Sequence, residues 1–186
     1  MKSSATVRGL ARRRTALVVT ASLSALLAAS NATAGQKILN GGFEGGADCT
    51  APATGPGCHW TFKDNAAVNT DPHTGKQGAT VGGQGSARGS VTQQLDLTRG
   101  IYSFSFWYKP SKGGTQTPST VKIAGKTVFL EWVKPPQGSD PQWKEYQIYL
   151  LVENDKTEQI EIFSEIPPHY HGPSFQIDDV SLDDFR

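Results

Sequence analysis

The stretch Ile101–Tyr108, "IYSFSFWY", puts Tyr102, Phe104, Phe106 and Tyr108 at every second position. That period belongs to a β-strand, whose successive side chains point to opposite faces. Four large rings on one face require a second apolar layer to cover them. The rest of the chain supplies alternating segments of the same kind. Tyr146, Ile148, Leu150 and Val152 form one such face; Val91, Leu95 and Leu97, and Ile160 with Ile162, form others. Shorter strands are predicted over residues 36–39, 59–63, 66–69 and 78–81. A hairpin is predicted around Ala124-Gly125, joining 121–123 to 126–133, and a last strand over 175–182. Helical periodicity is nearly absent after residue 34. The expected fold is all-β: an antiparallel β-sandwich of jelly-roll type.

The first 34 residues read differently. Lys2, Arg8, Arg12, Arg13 and Arg14 precede an apolar run from Ala16 to Ala29, and Ala32-Thr33-Ala34 supplies small residues. This is the pattern of a secretory signal peptide cleaved after Ala34, and the run is short for a membrane anchor. Residues 35–186 are then expected to be one exported domain, monomeric and not inserted in a membrane. They hold 13 Lys and Arg against 17 Asp and Glu, a net charge of −4. A chain with no basic stripe is a poor partner for nucleic acid. The two cysteines, Cys49 and Cys58, are expected to pair in an oxidising compartment. The loop so closed would contribute ~2.7 kcal/mol on a chain-entropy model.

Two further stretches stand out. The last predicted strand, "FQIDDVSL", carries Asp178 and Asp179 in its middle, so on a regular strand one of them faces inward, at a cost if unpaired. Near the start, "ILNGGFE" places Phe43 as a core anchor and Glu44 beside a glycine turn. If the two ends of the domain lie together, Glu44 approaches Asp178 or Asp179. Two or three carboxylates with glycine-loop carbonyls suit Ca²⁺. Acids at strand ends are as readily solvated or bonded to backbone N–H groups.

With "YSFSFWYK" between them, "NGGFE" and "IDDVSL" resemble the secreted carbohydrate-binding modules of the galactose-binding-like jelly-roll type, those associated with cellulases and xylanases. The resemblance spans about Lys37 to Leu182. It implies a structural Ca²⁺ held by Glu44, Asp178 and Asp179, a buried tryptophan near Trp60, and non-catalytic binding of a polysaccharide or glycan.

A glycan face needs aromatic rings for stacking and polar groups for hydroxyls. With Tyr102 to Tyr108 inward, Trp107 points outward with Ser103 and Ser105. With Tyr146 to Leu150 inward, Tyr149 points outward with Glu145 and Gln147. Trp107 and Tyr149 are the candidate stacking rings, Glu145 and Gln147 the hydrogen-bonding groups, and Trp132 a candidate rim contact. The competing reading puts Trp107 under a loop as a second small core. Trp143 reads as packing beneath a loop and His73 as a turn residue. His169 and His171, with Glu165, could bind a transition metal, but Pro167 and Pro168 point to a surface loop. No Ser-His-Asp, G-x-S-x-G or H-E-x-x-H pattern is present, so no catalysis is expected. The alternative function is a cell-surface adhesion protein that binds another protein.

Overall fold

The period-two segments become ten strands in a computed structural model, which describes residues 35–44, 59–82, 88–111, 117–134, 136–164 and 175–185. These are β1 (Thr61–Asp64), β2 (Ala67–Asn69), β3 (Gly78–Val81), β4 (Gly89–Leu97) and β5 (Gly100–Pro110). They continue with β6 (Thr117–Ile123), β7 (Lys126–Val133), β8 (Lys144–Val152), β9 (Lys156–Ser164) and β10 (Phe175–Phe185). All pairings are antiparallel. One sheet has the order β2-β3-β10-β5-β8, the other β1-β4-β9-β6-β7. Consecutive strands mostly change sheet, so the chain wraps the sandwich as it goes. Only β2–β3 and β6–β7 are sequential neighbours within a sheet. The β6–β7 turn has Ala124 and Gly125 at φ 54° and 72°, as a two-residue hairpin turn requires.

The alternation of β5 decides the core. Tyr102, Phe104 and Phe106 are fully buried and Tyr108 nearly so. Phe106 and Tyr108 meet Phe129 of the opposite sheet at ring-centroid distances of 5.1 Å each, and Tyr146 closes on Phe129 at 4.9 Å. Tyr102 keeps its hydroxyl bonded inside, donating to the carbonyl of Thr98 at 2.8 Å. At the other end Phe43 packs on Trp60 with ring centroids 5.2 Å apart, and both are buried. Trp60 thus sits in the core, as the resemblance implied.

Residues 36–39 are not a strand. Gln36 makes a single bridge to Asp183, and side chains hold Ile38 and Leu39 in place. The Gln36 side-chain carbonyl accepts from the N–H groups of Ile38 and Leu182 at 3.1 and 2.9 Å. The Gln93 amide pairs with both backbone groups of Leu39 at 2.8 Å each. Gln93 lies on the inward side of β4, between Val91 and Leu95, so its buried amide is satisfied by this docking. The two ends of the domain therefore do meet.

Candidate functional site

The register of β10, β5 and β8 lays out the outer face of their sheet in rows. Gln176 pairs with Lys109; Asp178 with Trp107, and Trp107 with Glu145. Then come Ser181, Ser105 and Gln147; Asp183, Ser103 and Tyr149; and Phe185, Ile101 and Leu151. Four of the five candidate binding residues, Trp107, Glu145, Gln147 and Tyr149, are brought together on this face. Trp132 is not. It lies on β7, on the outer face of the opposite sheet, across from Pro118 and 59% exposed.

The loop between β2 and β3 drapes over one end of the face. Its His73 ring stacks on Trp107 at 3.7 Å with an interplanar angle of 12°. Trp143 meets the edge of His73 at 5.7 Å. Trp107 is thus covered on one ring face, in line with the under-a-loop reading. Tyr149 is open, 57% exposed, with Phe185 edge-on at 5.0 Å. Gln147 donates to Ser103 across the strand pair at 3.1 Å. His73 has a role beyond the turn read from sequence. A contact between positions 73 and 107 leaves no trace in local pattern.

The same loop answers the acid pair. Asp178 does not face the core: by strand alternation it is on the outer side, opposite Trp107, yet it is completely buried. Its Oδ2 accepts from the N–H groups of His73 and Thr74 at 2.7 and 3.0 Å, and its Oδ1 from the N–H of Asp179 at 2.8 Å. Burial pushes this carboxyl above the ordinary range; the N–H groups of Thr74 and Asp179 pull it back, and the neighbouring Asp179 charge opposes them. Asp179 sits in a bulge, with φ 48°, where two residues of β10 oppose Phe106 alone. It accepts from His73 Nδ1 and Thr74 Oγ1 at 2.7 Å each. Glu44 accepts from the N–H groups of Lys76 and Gln77 at 2.6 and 3.1 Å. All three acids therefore bind one loop, through donors. Among the described residues no three Asp, Glu, His or Cys side chains are grouped as ligands of one ion.

The bulge also explains "NGG". It turns the Val180 N–H toward Gly41, whose carbonyl accepts it at 3.0 Å. A Cβ on Gly41 would lie 1.8 Å from the Val180 carbonyl oxygen. Asn40, at φ 50°, caps the turn, its side chain accepting from the Glu44 N–H at 2.8 Å. Cys49, Cys58, Glu165, His169 and His171 lie outside the described residues.

No protein-family model matches the sequence, and neither does any curated protein. Solved structures do match. A family 61 carbohydrate-binding module in complex with β-1,4-galactotriose superposes with a TM-score of 0.59 at 17% identity, over 81% of this chain and 99% of that one. This chain has the fold of the carbohydrate-binding modules. A family 4 carbohydrate-binding module matches with a TM-score of 0.52 at 21% identity, over 80% of this chain and 100% of that one. A C-terminal family 22 carbohydrate-binding module of Clostridium thermocellum matches at 0.52 and 15%, over 81% and 92%. The carbohydrate-binding-module fold is expected from the two terminal motifs, and those motifs are what clasp the sandwich's ends: Gly41 docks on the β10 bulge, and Glu44 and the acid pair share one loop.

Proposed function

We propose that the protein is a secreted, monomeric, non-catalytic module that binds a polysaccharide or glycan on the outer face of β10, β5 and β8. The observation that carries this reading is Tyr149. It is an open ring on a regular strand, paired with Ser103, with Gln147 and Ser105 in the next row and Glu145 in the row beyond to meet hydroxyl groups along a chain. Fold likeness to carbohydrate-binding modules supports the class of ligand, and only that. The acids near Trp107 are held by loop donors rather than paired across a cleft, which favours binding over hydrolysis. Export through residues 1–34 belongs to this proposal.

The test is retention of the protein on a panel of soluble and insoluble polysaccharides, repeated with Tyr149→Ala and Trp132→Ala. Retention on one class, weakened about tenfold by Tyr149→Ala alone, is the expected result. Weakening by Trp132→Ala alone moves the site to the opposite sheet. No retention on any polysaccharide ends the reading of binding along a chain on this face. It would favour the adhesion alternative, for which the patch of Ile101, Tyr149, Leu151 and Phe185, all exposed and adjacent, is the supporting observation.

The proposal includes a structural Ca²⁺ near Glu44, Asp178 and Asp179. A carboxylate offers about four lone-pair sites. Asp178 has three donors here, and Asp179 and Glu44 two each, so capacity is left for a cation. Such an ion would take at most two of these carboxylates and complete its shell with carbonyls and water. It would neutralise a site holding more acid than base. Chelation with EDTA is expected to lower the melting temperature by roughly 5–10 °C and Ca²⁺ to restore it. An unchanged melt, with no metal found by elemental analysis, would leave the loop donors as the sole compensation.

A further inference from the structure

At the end of the same face, beyond Trp107, lies a cleft of about 340 Å³ lined by Asp71, Lys109, Pro110, Asp140, Pro141 and Gln176. Its size is at the small end of small-molecule sites. Two side chains on its floor have unspent hydrogen-bonding capacity. Gln176 Oε1 is buried and accepts no hydrogen bond. Lys109 is 7% exposed; its ammonium is 2.7 Å from Asp71 and 4.6 Å from the Trp143 ring centroid. An ammonium has three N–H donors, and the Asp71 carboxylate occupies one of them. A buried acceptor without a partner is costly, and native proteins keep such groups where a ligand or water completes them.

The floor thus offers an acceptor and donors side by side. A carboxylate ligand would satisfy Lys109 and repel Asp71 and Asp140. An ammonium would satisfy Gln176 and repel Lys109. A hydroxyl group both donates and accepts, and so meets both. Trp143 lies under the Lys109 ammonium, ring centroid 4.6 Å away, and helps hold that side chain at the cleft.

We propose that this cleft holds one neutral sugar residue, a hydroxyl of which donates to Gln176 Oε1 and accepts from Lys109. This rests on the glycan-binding reading and extends it, because a single-residue cleft at the end of the face selects a chain end or a branch sugar. The covering loop positions the cleft: Asp71 belongs to it, and His73 holds it onto Trp107.

The test is calorimetric titration of the full-length protein with D-galactose, D-xylose, L-arabinose and D-glucose separately, alongside the Gln176→Met variant. Binding of at least one sugar is expected, weakened about tenfold or more in Gln176→Met. The variant's melting temperature should hold or rise, since the substitution removes an unpaired acceptor; a merely structural glutamine would give a fall. Equal affinity in the variant overturns the proposal, as does a failure of all four sugars. If the sugars fail while a polysaccharide retains the protein, the cleft is excluded and the glycan-binding reading stands. If a sugar binds through Gln176 and no polysaccharide is retained, the cleft stands and binding along a chain is excluded.

Discussion

Gly41→Ala is expected to be among the most damaging single changes to this protein, lowering stability by about 3 kcal/mol. The added Cβ would meet the Val180 carbonyl oxygen at 1.8 Å and its carbon at 2.9 Å, both backbone atoms that cannot rotate away. The turn would have to lift off the bulge. That would forfeit the Val180 N–H to Gly41 hydrogen bond and loosen Phe43 from its place against Trp60. For a domain of this size the loss corresponds to a fall of roughly 6–12 °C in melting temperature. Gly42→Ala is the control. Its Cβ would meet only side-chain atoms, at 3.7–3.8 Å, and is expected to cost well under about 1 kcal/mol. Calorimetric melts of the two variants decide the matter; equal melting temperatures would show that the close approach at Gly41 is not what the glycine is for.

The second large effect is expected at Asp178. Asp178→Asn keeps the shape and replaces one carboxylate oxygen by an NH₂ group. One orientation sets that NH₂ against the N–H of Asp179; the other sets it against those of His73 and Thr74. Either leaves buried donors facing a donor, at a cost of about 2–3 kcal/mol. The loop should also loosen, so that His73 no longer holds its place on Trp107, and the tryptophan fluorescence should change in the native state. The measurement belongs in EDTA, where any cation is removed and only the donors are compared. A melt and an emission spectrum like those of the unmodified protein would show that these N–H groups do not depend on the carboxylate. Asp179→Asn is expected to do less, because that side chain is partly exposed.

Much of the architecture is legible in the sequence, for a local reason. Tyr102, Phe104, Phe106 and Tyr108 alternate because a strand with one buried face must alternate, and "IYSFSFWY" carries that requirement in its own letters. The hairpin at Ala124-Gly125 is read the same way. The strand expected at 36–39 stops at one bridge and one backbone hydrogen bond to β10, and its remaining ties are the side-chain amides of Gln36 and Gln93, which leave no periodic signal. The inward aspartate fails because the bulge at Asp179 interrupts the alternation, so that neither acid takes the core-facing position, and a loop buries Asp178 on the outer side.

The candidate site divides along the same line. Which of Trp107, Tyr149, Glu145 and Gln147 share a face is set by parity along β5 and β8 and by their pairing. That Trp132 stands on the other sheet is not, since strand order comes from packing of the whole chain. Residues 71–77 look like an ordinary turn, yet they cover Trp107, supply the donors for three acids and wall a cleft. An all-β chain with a ring-lined core and two terminal motifs is written in local residue pattern. What those motifs touch is set by the closing of the two sheets. Contacts between residues about 35 and 105 positions apart, such as His73 with Trp107 and with Asp178, depend on how two sheets close, and no local rule carries that information.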